Sequence, residues 1–517
     1  MFAWLVQEAA TISDIPPAAA AGILLTAGPS SSDIYIVRRS DKLRFFGGFW
    51  AFPGGKVDES DAKPAKGVDR KLTAAARELF EECGVLIARN EQGLFPQFHG
   101  VLGEHRRALV GGRASFQAIL QQLHLRLHPG DFLEVGNLVT PPFSALRFDS
   151  TFYLAQLPPG QTAEVWPGEL VEGQWFQPAA MIEGWLRGKC LVTPPTLALL
   201  QVMGNRPVEE WPGALTTLMT DLMDNPLPPI FFVPEVQLLP LRTMALPPST
   251  HTNDYLVGRD PAYLIDPGPK DADEQQRLFD ALDLQQSLGR RLAAVVLTHH
   301  HPDHVGAAAL CSDRYGVPIW AHPETNRLLQ GKVAVHRETH DCEHLDLGVA
   351  PDNSGPWYLE AIHTPGHAPG HLVFYEPHYR LLFAGDLLST QTSMIIAPPD
   401  GDLAVYLRSL RQIQTLDCRL LLPSHGGATA QPARLIQEAL DLRAKREQQI
   451  LDALTRGPRA ISDLLDEVYH GVPSMLTRFA ELQLLAGLQK LEREGKAELT
   501  PHSNSQVWRL CSVNKTF

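Results

Sequence analysis

The chain is short of cysteine, of net positive charge and of long apolar runs, and each shortage removes a class of protein. Its 517 residues hold six cysteines, at 83, 190, 311, 342, 418 and 511, with no Cys-x-x-Cys and no pairing pattern. That excludes a disulfide-stapled secreted scaffold, and a reducing, cytoplasmic setting is expected. A net charge of -13 rules out a broad basic surface for nonspecific nucleic-acid binding, so a small anionic substrate needs a dedicated basic pocket. No stretch approaches about 18 uninterrupted apolar residues, so neither a membrane span nor a membrane partner is expected. Residues 1–15 carry acidic groups and lack a basic flank and a long apolar core, so no secretory signal is expected there.

What is present is ordinary globular composition, 44% apolar and 20% charged, in a chain long enough for roughly three domains. The most chemical stretch is Thr298-His299-His300-His301-Pro302-Asp303-His304-Val305-Gly306, which follows an apolar run at 292–297 that reads as a buried strand. Imidazole and carboxylate are ligands that zinc prefers, and a loop leaving a strand lets neighbouring residues turn toward different metals.

Near the start, residues 18–26 and 33–38 read as two strands around a Gly-Pro-Ser turn. On a helix from about residue 72, Glu78, Glu81 and Glu82 stand at i, i+3 and i+4, which puts three carboxylates on one face, with Gly84 at the helix end. Such a face suits a hard divalent cation that bridges diphosphate oxygens.

Arg77-Glu78-Leu79-Phe80-Glu81-Glu82-Cys83-Gly84-Val85 resembles the second half of the Nudix hydrolase box, Gly-x5-Glu-x7-Arg-Glu-U-x-Glu-Glu-x-Gly-U, where U is apolar. The first half departs from it. Asp61 stands at the Glu position, and the stretch from Gly55 to Arg77 is eight residues longer, an excess expected in a loop around 63–67. The resemblance implies that Glu78, Glu81 and Glu82 hold Mg2+ or Mn2+ and that Arg77 orients them. Upstream, Arg39, Ser40, Arg44, Gly48, Gly54 and Gly55 look like the coenzyme A diphosphatase signature within that family, which implies that they bind CoA, acyl-CoA or a nucleoside diphosphate derivative. Glu169 and Glu172 are candidate remote bases.

From about residue 234 the chain resembles the metallo-β-lactamase superfamily. The motif set comprises Asp266, the His299–His304 cluster, Thr364-Pro365-Gly366-His367, Gly385-Asp386 and Ser424-His425-Gly426. By position it implies two Zn2+ ions, one held by His299, His301 and His367, the other by Asp303, His304 and His425, with Asp386 bridging. His300, His363 and His371 are expected to orient ligands. His322, His336, His340 and His344 are expected to be solvated or locally hydrogen-bonded. Groups expected at the chemistry itself are Asp303 here and Glu81 and Glu82 in the first region.

The tail has helical apolar spacing at 435–454, with Arg443, Lys445, Arg446 and Glu447 outside, then helices at 461–468 and 479–491 and a two-stranded wing at 496–499 and 507–510. This layout is similar to the winged helix that follows the zinc domain in lactamase-like endoribonucleases. Together the resemblances imply an α+β multidomain chain: a Nudix α/β/α sandwich at 1–203, a proline-rich connector at 204–233, a metallo-β-lactamase αββα sandwich at 234–430 and a small winged helix at 436–517.

The function expected from these parts is a bifunctional hydrolase. One site cleaves a diphosphate and the other a thioester or related ester with metal-activated hydroxide, the thioester being implied because residues 364–371 are similar to the corresponding glyoxalase II segment. The alternatives are a phosphodiesterase acting on single-stranded RNA, suggested by the winged helix, and a catalytically silent scaffold.

Overall fold

A computed structural model describes residues 16–62, 68–96, 101–144, 146–472, 476–502 and 505–511. The expected loop at 63–67, the stretch 1–15 and the wing tip at 503–504 lie outside the described residues. Two compact units divide the chain, Ile15–Val236 and Gln237–Phe517.

The first unit is built on β1 (Ala18–Thr26), whose run AAAAGILLT is buried almost throughout. A strand covered on both faces reads as continuously apolar rather than alternating. It pairs in parallel with β6 (Phe148–Gln156) along its whole length. On its other side lies β2 (Ile34–Arg39), and the order continues outward through β3 (Trp50–Ala51) and, beyond β6, β5 (Phe132–Val139). β4 (Gly54–Lys56) also pairs with β1, and β7 (Leu170–Phe176) with β2.

Successive side chains of a strand point to opposite faces, and the two cores follow that rule. Ile23, Leu25, Tyr35 and Val37 join Leu79 and Phe80 of the Arg70–Cys83 helix on one face. Leu24, Ile34 and Ile36 join Met181, Leu197, Leu200 and Trp211 on the other. The result is the expected α/β/α sandwich.

The proline-rich stretch 204–233, expected as a connector, is instead part of this second layer. A helix over Trp211–Asp224 starts with Pro212 in its first turn, where a missing N–H costs nothing. It buries Trp211, Leu215 and Met219 at one-turn spacing. Trp211 Nε1 donates to the carbonyls of Met203 and Arg206, each at 3.1 Å. In β8 (Ile230–Val233), the Phe232 carbonyl accepts from Trp185 Nε1 at 2.9 Å.

The second unit stacks two sheets. One runs β14 (Arg337–Glu338), β13 (Ile319–Ala321), β12 (Leu292–Val296), β11 (Ala262–Ile265), β10 (His251–Gly258) and β9 (Val236–Arg242) in spatial order. The other runs β15 (Glu343–Val349), β16 (Pro356–His363), β17 (Leu372–Glu376), β18 (Leu381–Gly385) and β19 (Leu420–Pro423). They face each other through Tyr255 and Phe383, whose ring centroids lie 5.2 Å apart. Helix Leu403–Ile413 covers the outer face of the second sheet with Leu403, Tyr406, Leu407, Leu410 and Ile413, and helix Ala308–Tyr315 lies on β12 and β13. This is the expected αββα arrangement.

Behind it, helices Pro432–Leu454, Ile461–Val468 and Thr477–Arg493 and the hairpin of β20 (Ala497–His502) and β21 (Ser505–Leu510) form the winged helix. Leu454, Leu464, Leu484, Leu488 and Trp508 make its core. Arg443, expected on an outer face, is buried, because neighbouring segments cover that side of its helix; Lys445 is exposed as expected, and Arg446 and Glu447 are half-buried. Among the described residues no helix is long and apolar enough to cross a membrane.

Candidate active sites

The histidine stretch leaves the C-terminal end of β12, and Pro302 opens a short helix, Pro302–Val305. Asp266, at the end of β11, holds the turn in place. Its carboxylate accepts the Thr298 N–H at 2.7 Å, the Thr298 hydroxyl at 2.6 Å and His304 Nδ1–H at 2.9 Å. A φ of 52° at this non-glycine residue is strained, and such strain persists where surroundings over-determine it. The two loops touch directly because Gly268 lies against the Asp303 carbonyl and Gly306 against that of Gly268, each with no room for a Cβ.

The imidazoles are aimed by hydrogen bonds at their outer nitrogens. His367 Nδ1 donates to the Ile395 carbonyl at 2.8 Å and His425 Nδ1 to the His251 carbonyl at 2.9 Å. Thr298 spends its proton on Asp266, so its oxygen accepts from His299 Nδ1 at 2.9 Å. The Nε2 of His299 and of His367 is thereby left as a lone pair facing inward, while against burial Asp386 and Asp303 raise His425 to about 10 and keep a proton on its Nε2 until a metal takes its place. His299 Nε2, His304 Nε2 and Asp386 Oδ1 are buried with no hydrogen-bond partner, a costly state for a polar atom unless something else binds there.

Among the described residues those atoms and their neighbours belong to four overlapping sets close enough to hold an ion, two of which, Asp266 with His299 and His304 and Asp400 with His300 and His301, share residues with the other two. The ligand atoms of His299, His301, His367 and Asp386 lie within 4.8 Å of one another, as do those of Asp303, His304 and His425. Asp386 stands between: Oδ2 is 3.5 Å from His367 Nε2, while Oδ1 is 3.5 Å from His304 Nε2 and 3.3 Å from His425 Nε2. Burial lowers His367 to about 4 and holds His299 well below the ordinary imidazole range, so both offer neutral nitrogen. At His304 burial acts the same way, but the carboxylates of Asp386, Asp303 and Asp266 overrule it and raise the pKa well above its usual value. A pocket with three carboxylates and inward lone pairs is built to hold positive charge, and the donor set fits a pair of divalent metal ions.

The other predicted site lies on the first unit. Helix Arg70–Cys83 is capped by the Asp69 side chain and closed by Gly84 in the left-handed region. Arg77 is buried and forks onto Asp61, Nε to Oδ1 at 3.1 Å and Nη2 to Oδ2 at 3.0 Å. The shorter carboxylate at the Glu position therefore still reaches the arginine. Nη1 of Arg77 donates to Glu78 at 2.9 Å and Glu81 at 3.2 Å, and Nη2 to the Lys56 carbonyl at 2.8 Å. Glu82 accepts the Gly54 N–H at 2.9 Å, and Gly55 leaves space for the Glu78 carboxylate where a Cβ would collide with it.

Burial raises Glu78 to about 7 and Glu82 to about 8, and Glu81 moves in the same direction. A divalent cation would reverse that shift by favouring the ionised forms. Among the described residues these three glutamates do not converge as tightly as the histidine sets do.

The neighbouring strand β2 sorts the remaining candidates by its alternation. The charge of Arg39 acts on Glu82 and lowers its pKa, whereas Arg38 points away to Glu172 at 3.3 Å. Glu169 raises both Glu78 and Glu82 electrostatically, so of the two candidate bases it is the one beside the cluster. Ser40 is buried with its N–H on the Glu169 carbonyl at 2.7 Å, Gly48 closes the turn at φ 83°, and Arg44 is exposed in that turn.

Three family descriptions match the chain in order: NUDIX domain over residues 16–141, Metallo-beta-lactamase superfamily over 248–425 and Beta-lactamase associated winged helix domain over 460–503. An atrochrysone carboxyl ACP thioesterase of Passalora fulva is 30% identical over 272 residues, which is 50% of this chain and 75% of that protein. The chain belongs to the metallo-β-lactamase superfamily. It carries a NUDIX domain before the metallo-β-lactamase domain and a winged helix after it, and it is a metal-dependent hydrolase. Hydroxyacylglutathione hydrolase GloC of Haemophilus influenzae is 29% identical over 183 residues, 32% of this chain and 81% of that protein. A crystallised NUDIX hydrolase from Alicyclobacillus acidocaldarius is 26% identical, covering 39% of this chain and 97% of that one at a TM-score of 0.35.

Around the metallo-β-lactamase cluster, His300 joins His301 and Asp400 in one of the possible ion-holding sets, while His371, His363, His322 and His336 make hydrogen bonds to backbone groups. His371 accepts the Asp386 N–H at 3.0 Å, and His363 Nε2 lies 2.9 Å from the Pro369 carbonyl. His322 stacks on His363 at 4.0 Å and accepts the Glu324 N–H, while His336 accepts the Ile319 N–H. Sequence reasoning missed Asp400, whose Oδ2 lies 3.2 Å from His300 Nε2 and 3.9 Å from His301 Nε2. It stands in a Pro-Pro-Asp-Gly turn that carries no metal-site spacing, so only its place in the fold reveals it.

Proposed function

We propose that this protein is a bifunctional hydrolase that cleaves the thioester of an acyl-thiol substrate at the metallo-β-lactamase site and a diphosphate linkage, in CoA or acyl-CoA, at the NUDIX site. The observation that carries the first half is the Asp386 carboxylate, with one oxygen toward His367 and the other toward His304 and His425. His299, His301 and His367 would hold one zinc, Asp303, His304 and His425 the second, and Asp386 both. Bound there, the ions supply a water of lowered pKa and stabilise charge on the carbonyl oxygen.

The chain's own residues do the rest. Asp266 fixes the His304 tautomer, and His371 fixes the Asp386 backbone. Asp303, with Oδ2 at 3.5 Å from His425 Nε2, orients the attacking water and takes its proton. A thiolate leaves without a general acid, since its conjugate thiol ionises near pH ~8.5, so the reaction asks less of the site for a thioester than for an amide. Two relatives are named as an ACP thioesterase and a hydroxyacylglutathione hydrolase, which supports the same substrate class.

At the NUDIX site, Glu78, Glu81 and Glu82 would hold Mg2+ or Mn2+, and Glu81 and Glu82 sit closest to the reacting water in this reading. Arg39, Ser40, Arg44, Gly48, Gly54 and Gly55 line the approach of the anionic substrate. The cytoplasm is the setting that suits this chain, whose six cysteines are all unpaired.

The test is a hydrolysis panel of acyl-CoA, other thioesters, CoA, nucleotide sugars and an oligoribonucleotide on wild type, Asp303→Ala and Glu82→Gln. The expected result is thiol release lost only in Asp303→Ala and diphosphate cleavage lost only in Glu82→Gln. Cleavage of the oligoribonucleotide alone, abolished by Asp303→Ala, would replace this reading with the phosphodiesterase one.

A further inference from the structure

The loop 394–402 touches the metallo-β-lactamase cluster at three points. The Ile395 carbonyl accepts from His367 Nδ1 at 2.8 Å. Asp400 backs His300 and His301. The Asp402 N–H donates to the Gly366 carbonyl at 2.8 Å, beside His367.

The same loop is gripped from its far side by the C-terminal helices. The buried guanidinium of Arg443, on helix Pro432–Leu454, donates to the Met394 carbonyl and to Gln483 of helix Thr477–Arg493. It also lies 5.5 Å over the ring of Tyr406. Arg493 forks onto Asp402, Nη1 to Oδ2 at 2.6 Å and Nη2 to Oδ1 at 2.9 Å.

A buried cation is retained only where hydrogen bonds satisfy it, so Arg443 fixes the Met394 carbonyl rather than merely meeting it. That carbonyl belongs to the rigid peptide plane that ends at the Ile395 nitrogen, one α-carbon from the carbonyl that orients His367. His301 needs outside support for another reason. It is the most exposed ligand of its set, at 27%, and its Nδ1 lies 3.0 Å from His367 Nε2, so its other nitrogen must carry the proton toward Asp400 for Nδ1 to be a lone pair. His304 and His425 take their orienting bonds from Asp266 and from the His251 carbonyl, neither of which belongs to this loop.

We propose that the C-terminal helices set the metal affinity of one of the two positions, the one formed by His299, His301 and His367, by holding the loop 394–402 in place, with Arg443 and Asp400 as its positioning residues. The inference rests on the two-metal reading of the cluster.

The test titrates metal-free, full-length protein with Co2+ and follows its visible absorption. Wild type is expected to take two equivalents. Arg443→Gln and Asp400→Asn should each weaken one equivalent by about tenfold or more and leave the other unchanged, with Arg443→Lys recovering part of the loss. Arg493→Ala, at a half-exposed pair, should weaken the same equivalent by only about threefold; with Asp400→Asn it carries the test if Arg443→Gln does not fold. Two equivalents bound with wild-type affinity in these variants, or both weakened alike, would overturn the inference. Wild type that takes up no cobalt would instead overturn the two-metal reading itself.

Discussion

The two sites of this chain solve one electrostatic problem in opposite ways. In the metallo-β-lactamase domain the negative charge of Asp303 and Asp386 is left facing inward among oriented imidazoles, with buried atoms unpartnered. In the NUDIX domain a resident cation, Arg77, already occupies the centre and takes up Asp61, Glu78 and Glu81. In one site the balancing charge sits on imidazoles, His304 and His425, that can give up a proton to a metal ion, in the other on a guanidinium that cannot. The difference teaches that ligand identity alone does not define a metal site; what neutralises the ligands beforehand decides how much of the geometry exists without the ion.

Breaking the bridge should have the largest effect. Asp386→Asn removes the one carboxylate shared by both sets, and thiol release from acyl-CoA is expected to fall to background while diphosphate cleavage stays at the wild-type rate. A smaller loss is expected at the other site, where Glu82→Gln should slow diphosphate hydrolysis about 10²- to 10⁴-fold, read as phosphopantetheine release.

Arg77→Met probes the internal cation directly. It leaves Asp61, Glu78 and Glu81 uncompensated in a buried place, so urea unfolding should show the first unit destabilised by about 3–5 kcal/mol, with the second unit's transition unmoved. The smallest effect is one of pH. Burial raises Glu78 to about 7 and Glu82 to about 8; for a raised carboxylate the folded state binds the extra proton, so stability is full below the unfolded value near ~4.3 and is lost as pH rises through the folded one. The metal-free first unit should therefore melt at a lower temperature at pH 8 than at pH 6, and added Mg2+ should shrink that difference. Equal melting at both values would mean the carboxylates are already ionised against Arg77.

Much of this was legible without coordinates, and for physical reasons. The strand at 18–26 announced itself by an unbroken apolar run, and the glutamates of the Arg70–Cys83 helix by one-turn spacing. Sequence neighbours such as His299, His301 and His304 must lie close wherever the chain goes. Arg443 was misread because periodicity describes a helix in isolation and says nothing about what covers its polar side. Asp400 was invisible because it is 100 residues from His300 and sits in a turn of common composition. At 204–233 the sequence shows an ordered stretch with a short amphipathic helix at 215–223 and Trp211, but periodicity does not say which core the apolar face of that helix completes.

That last helix bears on how the two halves of this gene can be separated. A fragment stopping at residue 203 would strip Trp211, Leu215 and Met219 from the layer they complete and leave Leu197 and Leu200 facing water, an invitation to aggregate. Any separate piece meant to carry the NUDIX domain should therefore keep the helix Trp211–Asp224, beyond the first of the prolines.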